Sequence, residues 1–302
     1  MVIKFQRGRV RASALCILVL ALTGGCGQQR TEGQAATRPP DIYFGASQAV
    51  GNGTAKTFVK PDPSGQPAEV GLVMSASSMD GLAAEDTVPP TMVMLGFPPE
   101  AKATVFDHVM MNWNSHGHKP AEVFGKPHFD FHFYLSDAAS VMAIDPGGVD
   151  FAAKAARLPD ARYMPQDYAA DPGLPAANTV PAMGLHWVDS TARIVPGEYQ
   201  FTQIFINGSW DGQYTFMEPM LTREWMLTHP TVREAIKQPA AYQHDGYYPH
   251  DLLDSVRSGR PGVLDLPGRI DDAARLVAQA GRAHRRYLIP TTIESGPARR
   301  ST

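Results

Sequence analysis

The sequence predicts a mainly β fold, an antiparallel β-sandwich or barrel, with helices added towards the C-terminus. Three observations carry that expectation. Gly and Pro are abundant and scattered, 27 and 26 residues, which suits many short strands joined by turns. The stretch KPHFDFHFYLS, residues 126–136, alternates Phe129, Phe131 and Phe133 against His128, Asp130, His132 and Tyr134. That is the period of a strand with one face in a core. The third is GEYQFTQIFINGSWDGQYTFMEPM, residues 197–220, which reads as a hairpin. Its first strand runs from about Tyr199 to Ile206, turn signals stand at Asn207-Gly208 and Asp211-Gly212, and Gln213 to Met217 returns.

The remaining elements follow in order. DIYFGAS, TAKTFVK and AEVGLVMS are short strands separated by GNG and PDPSGQP, and PTMVMLGFP is a strongly apolar strand. In FDHVMMNW, His108 lies between apolar neighbours. AASVMAI is a strand or a helix start, and DFAAKAARLP is a short helix ended by Pro159. Met164 to Val180 is Pro-rich and reads as a surface loop. TREWMLTHPTVREAIKQP reads as two short helices broken at Pro230. IDDAARLVAQAGRAHRRYL reads as a last helix, with Asp271 and Asp272 near its start and Arg285 and Arg286 near its end, each sign matching the helix dipole.

The N-terminus reads as an export signal. Lys4, Arg7, Arg9 and Arg11 precede the apolar run SALCILVLAL, which is short for a membrane span. LTGGC then resembles the lipobox of bacterial lipoproteins, in which Cys26 is lipidated and becomes the mature N-terminus. Of the 2 Cys, Cys16 leaves with the signal, so no intrachain disulfide remains and the core alone holds the domain. The expected organisation is a signal peptide over 1–26, a polar disordered tether over 27–40, a β-rich domain over 41–238 and a helical extension over 239–302. The expected location is the cell envelope, with the membrane as a partner through Cys26. A formal charge of −3 and the lack of a long basic block beyond the signal argue against nucleic acid as a partner.

The candidate chemistry lies in the histidines. His128, Asp130 and His132 share one face of a strand, with successive members about 7 Å apart, within reach of one ion. His128 and His132 stand about 13 Å apart on a regular strand, too far for both to hold one ion without a bulge. Other ligands must come from elsewhere. NSHGHKPAE offers His116 and His118 at spacing two, with Glu122 four residues on. His186 follows Gly184 and is flanked by Trp187, and Glu218 ends the hairpin beside Pro219. The candidate metal ligands are therefore His118, His128, His132, His186 and Glu218, with Asp130, His116 and Glu122 as supporting or alternative groups. No serine-hydrolase elbow is present; Ser209 stands in a turn signal with no His adjacent in sequence.

His116-x-His118 with Glu122 resembles the first metal motif of cupins, which implies that the barrel alternative is a cupin-like one. GHKPAEVFGKPHFDFHFY, VPAMGLHWVD and FINGSWDGQYTFMEPMLTREWM together resemble bacterial secreted proteins grouped as domain of unknown function 5602, over roughly residues 45–235. That resemblance implies export and no particular activity. By position it maps the His-bearing motifs onto His118, His128, His132 and His186, and the EPM glutamate onto Glu218, with Glu122 where a small residue is expected.

Two functions are then expected from the residues. One is an exported lipoprotein with a His/carboxylate site for a divalent transition metal: zinc, iron, manganese or copper. As an enzyme it would use metal-activated water or oxygen on a small substrate. The other is a non-catalytic envelope protein that binds a small-molecule ligand or a partner, an oligomer included, with the His and Asp residues forming a structural polar network.

Overall fold

The structure, a computed structural model, describes residues 42–85, 91–228, 230–256 and 273–283. The expected signal peptide and tether lie outside these residues. Strands β1 (Tyr43–Phe44), β2 (Gln48–Val50), β3 (Gly53–Pro61) and β4 (Pro67–Ser75) begin a first sheet. A second sheet holds β5 (Thr91–Gly96), β6 (His108–Asn114), β7 (His128–Tyr134), β8 (Tyr168–Ala170) and β9 (Thr179–Val180). β10 (Gly184–Asp189), β11 (Gln203–Trp210) and β12 (Gln213–Thr222) complete it. The chain then returns to the first sheet with β13 (Thr231–Ala235), β14 (Gly246–Val256) and β15 (Ala273–Ala283).

Strand order is β1-β3-β4-β15-β14-β13 in the first sheet, with β2 on β3, and β5-β6-β7-β12-β11-β10-β8 in the second, with β9 on β10. Every strand pair is antiparallel. Neither sheet closes into a barrel among the described residues, so the protein takes the sandwich form of the expected β fold. The two sheets enclose one apolar core. Val70, Leu72 and Met74 of β4 belong to the same cluster as Val109 and Met111 of β6 and Phe129, Phe131 and Phe133 of β7. Burying each such Phe is worth roughly 1.5–3 kcal/mol, and this alternation fixes which face of β7 looks away from the core.

Short helices fill the connections: α1 (Ala121–Phe124), α2 (Ala138–Met142), α3 (Phe151–Ala155), α4 (Pro175–Asn178) and α5 (Arg223–Leu227). Asp137 caps α2 by accepting from the Ser140 N–H, and the Thr222 hydroxyl does the same for Trp225 in α5. The Pro-rich stretch 164–180 carries β8, α4 and β9 rather than loop alone.

Three local expectations are corrected. Asp211-Gly212 is the hairpin turn, with φ of 52° and 77°, the left-handed pair that a tight antiparallel turn needs. Asn207-Gly208 is instead inside β11, where the register shifts between Gly208 and Ser209. Residues 231–235, expected as helix, form β13 at the sheet edge, paired with β14. The last expected helix is strand over Ala273–Ala283. There β15 pairs with β4 on one side and β14 on the other, so ladder bonds on both edges outweigh the local helical signal. Among its described residues the segment 239–302 is therefore part of the first sheet, not a helical extension.

Candidate metal centre

The outward face of β7 is polar yet buried. His128 and His132 have no exposed surface, and Asp130 is 4% exposed. Strand register explains the arrangement. On one side β6 sets Met110 beside His132, Asn112 beside Asp130 and Asn114 beside His128. On the other, β12 pairs Met217 with Phe133 and Met220 with Asp130. The same register carries Glu218 opposite His132. Two small apolar clusters flank this polar strip: Val123, Phe124, Phe201, Ile206 and Met220 on one side, and Met110, Tyr134, Val141 and Phe216 on the other.

The histidines and carboxylates sort into two groups of three, His132–His186–Glu218 and His118–His128–Asp130. Within each, one ligand atom per residue lies within 4.8 Å of the others. The spacing objection raised from sequence is met: His128 and His132 belong to different groups.

In the inner group, His132 Nε2 lies 3.3 Å from Glu218 Oε1 and His186 Nε2 lies 3.4 Å from Glu218 Oε2. The group is enclosed by rings. Phe216 packs edge-on against both imidazoles at 5.0 Å, and His132 stacks on Tyr134 at 5.7 Å. Gly208 permits this, because a Cβ there would stand 1.9 Å from the Phe216 ring. His186, on β10 beside Gly208, is the partly exposed member, at 22% of its side chain. Among the described residues neither nitrogen of His132 has a hydrogen-bond partner, nor does Glu218 Oε2. Burial lowers the His132 pKa to about 3, helped by the neighbouring His186, and burial lowers His186 to about 4. Burial, followed by the Asp130 charge, holds Glu218 well above the usual carboxyl range. Without a cation the inner group is thus two neutral imidazoles facing a carboxyl whose charged form burial disfavours.

In the outer group, His128 Nε2 lies 3.0 Å from Asp130 Oδ1, and His118 Nε2 lies 3.6 Å from Asp130 Oδ2. His118 comes from the loop before α1 and is 38% exposed. Burial opposes ionisation of Asp130, yet the adjacent His118 and His128 imidazoles outweigh it and hold the carboxyl well below its usual range. His118 loses by burial and gains more from Asp130, so its pKa is raised.

Of the candidate ligands, the structure places His132, His186 and Glu218 in one group and His118 and His128 in another, where Asp130 has a direct place. It does not bring in His116 or Glu122. His116 is exposed with Nδ1 3.1 Å from the Ser115 hydroxyl, and Glu122 is exposed on α1. Tyr134, on the same face of β7, is fully buried and donates to the Met183 carbonyl at 3.1 Å. Sequence reasoning missed Asn114, whose amide donates to Asp130 Oδ2 at 2.8 Å. The alternation of Asn112 and Asn114 around Trp113, in a strand next to KPHFDFHFY, is the signal that could have found it.

A family model described as TTHB210-like, hypothetical protein TTHB210, matches residues 62–113. That segment runs from the turn before β4 to Trp113 in β6, is well under half of the chain, and contains none of the six grouped residues. No curated protein and no solved structure matches the chain.

Proposed function

We propose that the protein is an exported metal-binding lipoprotein, anchored through Cys26, whose inner group His132–His186–Glu218 holds one divalent transition metal. One observation carries the reading. A wholly buried imidazole with neither nitrogen hydrogen-bonded faces a buried carboxyl that also has an unpaired oxygen. Buried polar groups left this way cost about 1–3 kcal/mol each, and a cation between them removes the cost. Two imidazoles and a carboxylate suit zinc, iron, manganese or copper. Three protein ligands leave coordination positions open, the pattern of catalytic rather than structural ions, and such an ion polarises a bound substrate or lowers the pKa of bound water. His186, the partly exposed ligand, marks the side from which a small molecule would approach. All six grouped residues fall in the three motifs that resemble domain of unknown function 5602, and export rests on the basic n-region, the apolar run and LTGGC.

The test is metal content by mass spectrometry on the full chain in detergent, purified without a polyhistidine tag, beside a His132→Ala/His186→Ala variant. A folded variant that binds less metal than the parent supports the reading. A parent that stays metal-free after exposure to zinc, iron, manganese and copper overturns it and leaves the ligand-binding or structural network.

A further inference from the structure

The outer group is built differently, and its tautomers can be read from the backbone. His128 Nδ1 lies 2.6 Å from the Lys126 carbonyl, and His118 Nδ1 lies 2.9 Å from the Lys119 carbonyl. A carbonyl only accepts, so each Nδ1 carries the proton and donates. A ring carrying its single proton there turns a bare Nε2 lone pair towards Asp130, whose ionised oxygens also only accept. At His128 the two acceptors stand 3.0 Å apart, and Asp130 Oδ1, on a 4% exposed residue, has no hydrogen-bond partner among the described residues. Asn114 is the donor facing this cluster, bonded to Asp130 Oδ2 at 2.8 Å and 3.4 Å from His128 Nε2. Lone pairs converging at this distance require a cation between them. Protons on the rings can supply it, and so can a metal ion, for which a backbone carbonyl on the far nitrogen of each His is the usual orienting contact.

The geometry points to a second site for a divalent transition metal at His118, His128 and Asp130, one strand repeat from the inner group and open to solvent through His118. It shares no ligand with the inner site. Asp130 and His132 are neighbours on one face of β7, about 7 Å apart along the strand, so two ions would lie side by side. The inner ion is walled by Phe216 and Tyr134, whereas the outer one is held by an exposed loop histidine. The outer ion should therefore exchange first.

The experiment titrates the metal-stripped full chain in detergent with zinc, and separately with cobalt, whose visible spectrum reports its ligand field. Bound metal is counted for the parent, His118→Ala and Glu218→Gln. His118 is partly exposed and Gln is isosteric with Glu, so both chains should fold, which circular dichroism checks. Two ions in the parent are expected, with His118→Ala losing one of them and Glu218→Gln losing the other. A chelator should remove from the parent first the ion that His118→Ala lacks. One ion in the parent that survives His118→Ala and is lost in Glu218→Gln would overturn the second site and leave the inner one standing. One ion lost in both variants would mean a single shared site and would overturn it too. An ion lost in His118→Ala but kept in Glu218→Gln would support the outer site and sink the inner.

Discussion

His132 Nε2 and Glu218 Oε1 meet at 3.3 Å across the β7–β12 junction, and both residues are almost wholly buried. The register brings them there. Met217 pairs with Phe133 and Met220 with Asp130, and the pairs between them, at Glu218 and Pro219, are missing from the ladder. Pro219 has no N–H to donate, so a central strand gives up regular pairing beside the carboxylate. A sheet kept for stability alone has little reason to place Pro and Glu at its centre, which is where sites commonly break local rules.

Glu218→Gln separates a metal ligand from a structural ion pair. Burial raises the Glu218 pKa well above the usual carboxyl range and so disfavours its charged form, and an amide of the same shape should leave metal-free stability within about 1 kcal/mol of the parent. The rise in Tm on adding zinc should vanish in that variant. Were His132 and Glu218 a buried charged pair serving the fold, the substitution would cost about 3–5 kcal/mol by chemical denaturation, metal or no metal.

Acid should unfold the metal-free protein through the inner histidines. His132 and His186 have folded pKa values of about 3 and 4, below the unfolded value of about 6.5. Between those limits the unfolded chain binds more protons. The contribution of these two groups is full above about pH 6.5 and falls as pH drops, with each His adding a slope of about 1.4 kcal/mol per pH unit. Glu218, its folded pKa raised, partly offsets the fall with stability that fades as pH rises. His118 works the other way: its raised pKa gives stability that is complete below the unfolded value and fades as pH rises through the folded one. Asp130, held low, loses its contribution only below about pH 3.9. Denaturation in chelator at pH 7.5, 6 and 5 should show the fall, and His132→Phe should make it shallower. An unchanged slope would mean that His132 is not the buried neutral group described.

Much of this was legible in the chain. The Phe alternation of β7 put Phe129, Phe131 and Phe133 in the core and the polar residues opposite, because period two needs no knowledge of partners. The grouping into two sites was not legible, since it depends on β7 pairing with β6 and β12 and on a loop returning His118 over His128. The same long-range pairing made a strand of Ala273–Ala283, whose flanking sequence, with Asp271 and Asp272 before it and Arg285 and Arg286 after it, imitates a helix. Asn207-Gly208 misled for a local reason: the pair is a strong turn signal, but here Gly208 is required for the room it leaves Phe216.

That room yields a third prediction. In Gly208→Ala the new methyl meets the Phe216 ring, and the fully buried ring must move. Overpacking of this kind costs about 1–3 kcal/mol. Because Phe216 touches both His132 and His186, zinc affinity of the inner group should fall while the outer group keeps its own. Isothermal titration of the variant against the parent reads both. Unchanged inner affinity would show that Phe216 fills space without positioning the imidazoles.

Asn114 tests the outer group from its inner side. It is 6% exposed, and its amide is the donor that orients Asp130 Oδ2. A hydrogen bond to a charged group is worth about 1.5–3 kcal/mol, so Asn114→Ala should destabilise the metal-free chain by that amount. Loss of an orienting contact to a metal ligand costs about 10–100-fold in affinity, and the weakening should fall on the outer ion alone. Combined with His118→Ala, which removes that ion's solvent-facing ligand, the second loss should be smaller than in the parent, because the two residues act on one site. Fully additive effects on zinc binding would instead place Asn114 outside the metal's reach, as a residue that only braces β6 against β7.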